Sequence, residues 1–513
     1  MDWLPLAATP WDETSEVSRR RSTSHHTAAL RGTPCLGRAE HEEQRTDRSF
    51  VCAMRQKSIQ LALNLEGAGE AQPDLRRGTE AQTAASTTVS LAHDLMEAVV
   101  AGRNMQDAQR KVRSNKGSPG VDGMTVDQLE SHLREVLPGL REELLTGDYR
   151  PSPVRRVDIP KADGGTRQLG IPTVIDRFIQ QCLLQVLEPL FDPTFSSSSY
   201  GFRPGKSAHQ ALEAARQYVA EGYDWVVDLD LEKFFDRVNH DMLMGRLAKR
   251  IADKRVLRLI RRFLEADILT EGVLMTREEG TPQGGPLSPL LANILLDDLD
   301  KLLEQRGHRF CRYADDCNIY VQSERAGQRV MESVTGFLER KLKLRVNKDK
   351  SAVARPKARK FLGQRVLSGG DNTFLGIHPK SVLRAKKRIR KTTKRNRGVS
   401  LGQVLRELAW FTNGWVTYHR HTRCSNLLKS LDEWIRRRLR VYVWKQWKTW
   451  RNRAEQMLKL GVPRILAYGV AYNNEGPWKS SGTPAMTRAL TNARLHEMGL
   501  HSLHEKYVAL NTP

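Results

Sequence analysis

The sequence predicts an α+β protein whose middle is built on antiparallel hairpins and whose end is α-helical. Three observations carry this. Short runs of strand type flank tight-turn signals, as in PVRRVDIPKADGGTRQLGIP and FCRYADDCNIYV. Longer stretches with helical periodicity separate them. From about residue 380 the composition shifts to segments with aromatic and basic faces.

Residues 1–87 are rich in Ser, Thr, Arg, Glu, Gln and Ala without sustained periodicity, and are expected to be mostly disordered. LAHDLMEAVVAGRNMQDAQRKVRSN reads as one helix, stopped by Gly117-Ser118-Pro119-Gly120. VDQLESHLREVLPGLREELLTG is a second helix. The following hairpin turns at Asp163-Gly164-Gly165, and IDRFIQQCLLQVLEPLF reads as an amphipathic helix. WVVDLDLEKFFD is a strand that breaks into a turn. Helices follow to about 266, then more strand, then LSPLLANILLDDLDKLLEQRG as helix. The YADD hairpin, a helix over 324–341, a short strand KLKLRV and a hairpin near FLGQRVL come next. VLRELAWFTNGWVTYHR and LLKSLDEWIRRRLRVYVWKQWKTWRNR read as helices. Trp444, Trp447 and Trp450 recur every three residues, a spacing that favours core packing. The tail, with its Gly-Pro and Gly-Thr-Pro turns, reads as loop-rich.

The chain has 513 residues, a formal charge of +24 and a pI near 9.9. Such an excess of cations opposes compaction unless a polyanion binds, so nucleic acid is the expected partner. No run approaches the roughly 18 apolar residues of a membrane span. The first residues, MDWLPLAATPWDETSE, lack the basic start and apolar centre of a secretory signal. The cysteines, at 35, 52, 182, 311, 317 and 424, form no C-x-x-C pair, which argues against a zinc site and fits a reducing cytoplasm.

Two stretches carry chemistry. In RYADD, a tight turn at or beside Asp315 and Asp316 puts two carboxylates at the lip of a sheet, and a divalent cation would offset their repulsion. In WVVDLDLEKFFD, Val226, Asp228 and Asp230 alternate with Val227, Leu229 and Leu231, so an acid again ends a strand. Carboxylates from separate strands converging on one point suit two-metal phosphoryl transfer. Lys161 and Arg167 flank the DGG turn, where a hairpin can reach a triphosphate. The glycines of PQGGPLSP permit close backbone approach beside Gln283. Arg203 and Lys206 precede a helix N-terminus, a place for backbone phosphate. RAKKRIRKTTKRNR holds nine basic residues in fourteen and no acid, among them Lys386, Lys387, Arg388, Arg390, Lys391, Lys394 and Arg395, which suits RNA phosphates.

In order along the chain stand GSPGVDGMTVDQL (117–129), IPKADGGTRQLGIP (159–172), SSYGFRPGKSAHQAL (198–212), VVDLDLEKFFDRVNHD (226–241), EGTPQGGPLSPLLANILLDDLD (279–300), RYADD (312–316), LKLRVNKDKS (342–351) and FLG (361–363). With these motifs in this order the chain resembles the bacterial group II intron-encoded reverse transcriptases/maturases. The resemblance implies a right-hand polymerase: fingers and palm over 88–365, a helical thumb/maturase domain over 366–455, and a short C-terminal extension over 456–513, a candidate DNA-binding segment. It implies catalytic metal ligands Asp230, Asp315 and Asp316. The family's six-residue spacing to the Asp of FFD, here Asp236, selects Asp230 over Asp228. It further implies two Mg²⁺ ions, with Mn²⁺ as a substitute, triphosphate contacts from Lys161 and Arg167, a sugar-excluding Phe235, and Gln283 at the nucleotide or template pair. Arg203 and Lys206 would meet the template. Lys350 stands between a proton donor to pyrophosphate and an ordinary surface lysine.

The partners so implied are intron RNA, a DNA primer or target, and dNTPs, with no membrane. Many relatives end in a Cys/His-rich endonuclease domain. The tail here has no such cluster, so the primer is expected from elsewhere, such as nascent DNA at a replication fork. Two other readings stay open: a splicing maturase with dispensable polymerase activity, and a reverse transcriptase outside introns, serving defence, diversity generation or spacer acquisition.

Overall fold

The computed structural model describes residues 92–160, 165–270, 273–275, 279–281, 284–369, 372–473 and 475–512. The expected disorder of 1–87 therefore lies outside the described residues.

The chain enters through two helices, α1 (Leu95–Val99) and α2 (Gly102–Ser114), where the sequence suggests one. Ala101 is extended at φ −60° and ψ 135°, and Gly102 is a weak helix former. The break lets Met96, Val99 and Met105 all reach the core. Next is α3 (Leu129–Thr146), closed by Gly147 at φ 79°. β1 (Val154–Pro160) and β2 (Thr166–Ile171) form the expected hairpin, with turn residues 161–164 outside the described set. α4 (Val174–Phe191) is not amphipathic in the way the sequence suggests. Every residue from Asp176 to Leu183 is buried, because the helix runs through the main core with elements on all sides.

α5 (Ala208–Ala220) starts at a reciprocal Ser207–Gln210 cap. β3 (Trp225–Leu229) breaks into a 3₁₀ turn at Phe234–Asp236. α6 (His240–Ala248), α7 (Lys254–Glu265), β4 (Ile268–Thr270), β5 (Val273–Met275) and α8 (Ser288–Gln305) lead to the hairpin of β6 (Arg309–Tyr313) and β7 (Asp316–Val321), then α9 (Glu324–Lys341).

KLKLRV is not a strand. Leu342, Leu344 and Val346 are buried, as their alternation suggests, but Lys343 sits at φ 56° and only a single bridge, Leu231 to Val346, forms. The pairing strand lies further on, as β8 (Ala352–Ala354). β9 (Gln364–Gly369) and β10 (Asn372–Ile377) make a separate hairpin.

The palm sheet has the order β6-β7-β3-β8, antiparallel throughout. Val227, Leu229 and Ile319 enter the main core with Val334 and Leu338 of α9. On the other face Val226, Cys311 and Tyr320 pack with Ala211, Leu212 and Ala215 of α5. Cys311 and Cys317 are small residues on packed strands. Burial pushes the Cys311 and Cys317 thiols well above their ordinary range. A second sheet, β2-β1-β4-β5, belongs to the fingers.

The helical end comprises α10 (Pro379–Thr392), α11 (Leu401–Tyr418), α12 (Ser425–Gln446), α13 (Trp450–Lys459), α14 (Arg464–Tyr472), α15 (Pro477–Ser481), α16 (Pro484–Ala489), α17 (Asn492–Glu497) and α18 (Leu503–Asn511). The tail is thus helical and not loop-rich. Its Gly-Pro and Thr-Pro pairs are helix starts, since proline suits the first helical position. α18 folds back on α12, where Asp432 accepts from Leu503 N at 2.9 Å, His504 N at 3.0 Å and Ser502 Oγ at 2.8 Å. The tryptophan stripe divides. Lys448 at φ 49° and the Thr449 cap start a new helix, leaving Trp444 buried, Trp447 half-buried and Trp450 exposed. Among the described residues no helix is long and apolar enough to cross a membrane.

Candidate active site

β3 and β7 run antiparallel with Asp228 opposite Asn318 and Leu229 opposite Cys317. One further step along that register brings Asp230 level with Asp316. β6 and β7 join through a two-residue turn, Ala314-Asp315, with Tyr313 opposite Asp316. Ala314 takes φ 58° at the first turn position, as tight hairpins require. Three carboxylates therefore meet at one lip of the palm sheet.

The turn rests on a buried network absent from the motif reading. The Arg312 guanidinium donates to Asp300 at 2.7 and 2.5 Å, to Asn293 Oδ1 at 3.0 Å, to Ser199 Oγ at 2.7 Å and to the Ala314 carbonyl at 3.0 Å. Asn293 Nδ2 donates to the Gly201 carbonyl at 2.9 Å. Gly201 itself lies against the turn: a Cβ there would stand 2.3 Å from Ala314 N. The available signal was an arginine in the middle of a strand preceded by the acid-rich helix segment LLDDLD.

Asp228 pairs with Arg359 at 2.6 Å, and the Asn318 amide, oriented by its neighbours, donates to the same carboxylate at 2.9 Å. Arg359 also donates to the Lys350 carbonyl. Asp230 Oδ2 lies 3.7 Å from Lys350 Nζ, so the lysine weighed as a surface residue stands at the site. Asp230 is fixed from behind: its N–H donates to Ser351 Oγ at 3.0 Å and its carbonyl accepts from Asn347 N at 2.8 Å.

Asp316 is the exposed first residue of β7, with the rest of the strand buried behind it. Burial of the carboxyl, then repulsion from Asp315, Asp228 and Asp230, pushes it up to about 7. Partial burial, then Arg384, holds the Lys360 ammonium below its usual range, with Asp316 pulling the other way. Among the described residues no three acid, histidine or cysteine side chains are gathered tightly enough to hold an ion as they stand. The donor chemistry nonetheless fits a hard divalent cation, with three carboxylates on adjacent backbone positions and two of them crowding Asp316 enough to raise its proton affinity.

The crowding has a signed consequence. Asp316 binds its proton more tightly folded than unfolded, where an aspartate titrates near 4. The stability from that proton is present below the unfolded value and is lost as pH rises through about 7. In chelator, the thermal midpoint should fall between pH 5 and pH 8, and Asp316→Asn should flatten that fall. Identical slopes for the two proteins would remove Asp316 as the cause.

Lys161 and Gln283 lie outside the described residues. Arg167 sits in β2 opposite Ile159. Phe235 is half-buried, edge-on to Phe234 with ring centroids 5.1 Å apart. The structure brings its turn and the QGG segment together: Thr281 N donates to the Phe235 carbonyl at 2.7 Å and Gly280 N to Val238 at 2.8 Å. The glycines expected to admit a ligand admit the protein's own chain here. A Cβ on Gly284 would lie 2.5 Å from the Gly170 carbonyl, and one on Gly285 2.2 Å from Gln180 Oε1.

Arg203 points inward. It pairs with Asp192 at 2.7 Å, donates to the carbonyls of Ser196 and Ser199, and lies over Phe195. It holds the 192–199 loop in place and does not face outward to a template. Lys206 Nζ donates to the Ser197 carbonyl at 3.3 Å and lies over Tyr200. Of the basic run, 386–391 lie on α10 and Lys394 and Arg395 in the exposed turn after it.

A palm sheet with aspartates at the ends of two adjacent strands, flanked by a helical basic domain, defines a template-directed nucleotidyltransferase. Residues 159–366 match the model of the reverse transcriptase (RNA-dependent DNA polymerase) family, and 382–461 match the group II intron, maturase-specific domain. YkfC of Escherichia coli strain K12 is 36% identical, the match covering 48% of this chain and 76% of that protein. The group II intron-encoded protein LtrA of Lactococcus lactis subsp. cremoris is 38% identical over 40% of this chain and 34% of its own length. The chain belongs to the group II intron reverse transcriptase/maturase family, with the two domains in sequence. It spans about a third of LtrA's length and about three-quarters of YkfC's. A solved chain of a partial Cas6-RT-Cas1–Cas2 complex is 25% identical over 48% of this chain and 43% of that one, with a TM-score of 0.33.

Proposed function

We propose that this protein extends a DNA 3′-hydroxyl on the RNA of a group II intron, taking dNTPs, and binds that RNA to assist splicing. The observation that carries the reading is the strand register that brings Asp230 level with Asp316 beside the Ala314-Asp315 turn. Asp230, Asp315 and Asp316 would hold two Mg²⁺ ions, with Mn²⁺ able to replace them. When bound, these ions lower the pKa of the attacking hydroxyl and neutralise the leaving pyrophosphate.

The chain's own groups do the rest. Arg359 and Asn318 fix Asp228 behind the reacting edge, and Lys350, beside Asp230, is placed to give pyrophosphate a proton. Lys161 and Arg167, on the fingers hairpin, close on the triphosphate. Phe235 excludes a 2′-hydroxyl, and Gln283 follows the segment anchored to the Phe235 carbonyl. The cations of α10 and its following turn track intron RNA phosphates, and the C-terminal helices are the candidate DNA contact.

Primer extension on an RNA template by wild type and Asp315→Ala tests the reading. Wild type should make cDNA only with divalent metal present, and the variant should make none. A wild-type protein that makes no cDNA while splicing still responds to it would overturn the polymerase and leave a maturase.

A further inference from the structure

Trp434 lies on α12, half-buried against the thumb core. Three cations converge on its indole: Lys386 Nζ at 5.9 Å, Arg390 at 5.6 Å and Arg438 at 5.3 Å from the ring centroid. Lys386 and Arg390 are one helical turn apart and so share a face of α10. Arg438 comes from α12 and is pinned across the gap: its Nε donates to Thr393 Oγ1 at 2.7 Å and an Nη to the Arg390 carbonyl at 3.5 Å. Three charges within 6 Å of one ring lie within about 12 Å of each other, a separation on the order of the screening length at physiological salt. Neither Lys386 nor Arg390 has a carboxylate partner among the described residues.

The aromatic ring offsets part of the repulsion and holds the cations at fixed positions. It does not neutralise them. The opposite face of α10 differs. Burial pushes the Glu407 carboxyl of α11 up, but its pair with Arg397, then Gln403 and, more weakly, the charge of Arg388 bring it below the usual carboxylate range. Arg388 therefore has an acid of the protein near it, whereas Lys386 and Arg390 are gathered on the ring and left positive.

We infer that Lys386, Arg390 and Arg438, arranged on Trp434 between α10 and α12, form a single cradle for RNA backbone phosphates. The inference rests on the RNA-binding reading above and narrows it: one constellation, including an arginine outside the basic run, carries the affinity. Trp434 acts as a positioning residue, setting where the charges stand without touching phosphate.

The test measures binding of a fluorescein-labelled RNA stem-loop to the full chain across a range of KCl. Lys386→Gln, Arg390→Gln and Arg438→Gln are each expected to weaken binding about tenfold and to reduce the slope of log K against log [KCl] by roughly 0.7 to 0.9. Arg388→Gln removes the same charge from the same helix and should weaken binding clearly less than Arg390→Gln. Trp434→Leu should weaken binding several-fold with the slope retained, since no charge is lost. Equal losses for Arg388→Gln and Arg390→Gln would overturn the cradle and leave diffuse attraction. A wild-type protein that fails to bind the stem-loop would overturn the RNA-binding reading itself.

Discussion

Asp230→Asn should abolish RNA-templated primer extension, lowering the single-turnover rate by about a thousandfold or more, while Asp228→Asn should cost about tenfold or less. The two residues are two apart, Asp228 in β3 and Asp230 one step past its end, so only geometry separates them. Asp230 is level with Asp316, faces Lys350, and has its backbone fixed on both sides by Ser351 and Asn347. Its carboxylate would contribute directly to metal-dependent stabilisation of the transition state, worth several kcal/mol. About 4 kcal/mol corresponds to a thousandfold in rate. Asp228 is tied to Arg359 and Asn318, so its loss acts through the placement of neighbours. Asparagine keeps the size of the side chain, and melting within a few degrees of wild type should show that both variants fold. Equal losses in the two variants, or Asp230→Asn retaining a tenth of wild-type rate, would contradict this division of roles.

The YADD hairpin was legible in the sequence because its determinants are local: alternating apolar residues, a two-residue turn, and acids at the turn itself. What supports the hairpin was not. Arg312 finds Asp300 twelve positions away and Ser199 a further hundred, contacts that no periodicity encodes. Arg203 shows the same limit. The helix start just after it is a local cue for phosphate, but Asp192 and the carbonyls of the 192–199 loop draw it inside. In KLKLRV the alternation was real and the leucines are buried. A left-handed Lys343 nonetheless keeps the segment from pairing, so burial was readable and hydrogen bonding was not. The C-terminal turns misled for a related reason, since Gly-Pro marks the start of a short helix as readily as a loop. The divided character of α10 needed the fold, because it depends on Trp434 and Glu407 arriving on opposite faces from separate helices.

Asp300→Ala should destabilise the protein by about 3–5 kcal/mol, the range for removing one partner of a buried ion pair. Both members are fully buried, and the Arg312 guanidinium has no route to water when its carboxylate is gone. Burial raises the Asp300 carboxyl and the paired Arg312 opposes that rise, so the aspartate depends on the arginine in turn. Replacing both, as in Arg312→Leu with Asp300→Leu, should cost clearly less than Asp300→Ala alone, because no charge is stranded. The double variant still loses the bond from Arg312 to the Ala314 carbonyl, which sets the height of the turn bearing Asp315 and Asp316. It should therefore fold but polymerise slowly, with the loss in kcat and little change in KM for dNTP, as expected when the reacting groups and not the binding groups have moved. Urea denaturation of the single and double variants, with steady-state extension kinetics on whichever fold, reads both effects. A double variant no more stable than Asp300→Ala would show that the cost lies in packing. One with wild-type kcat would show that the turn keeps its place without Arg312, held by the Gly201 backbone and its own strand pairing.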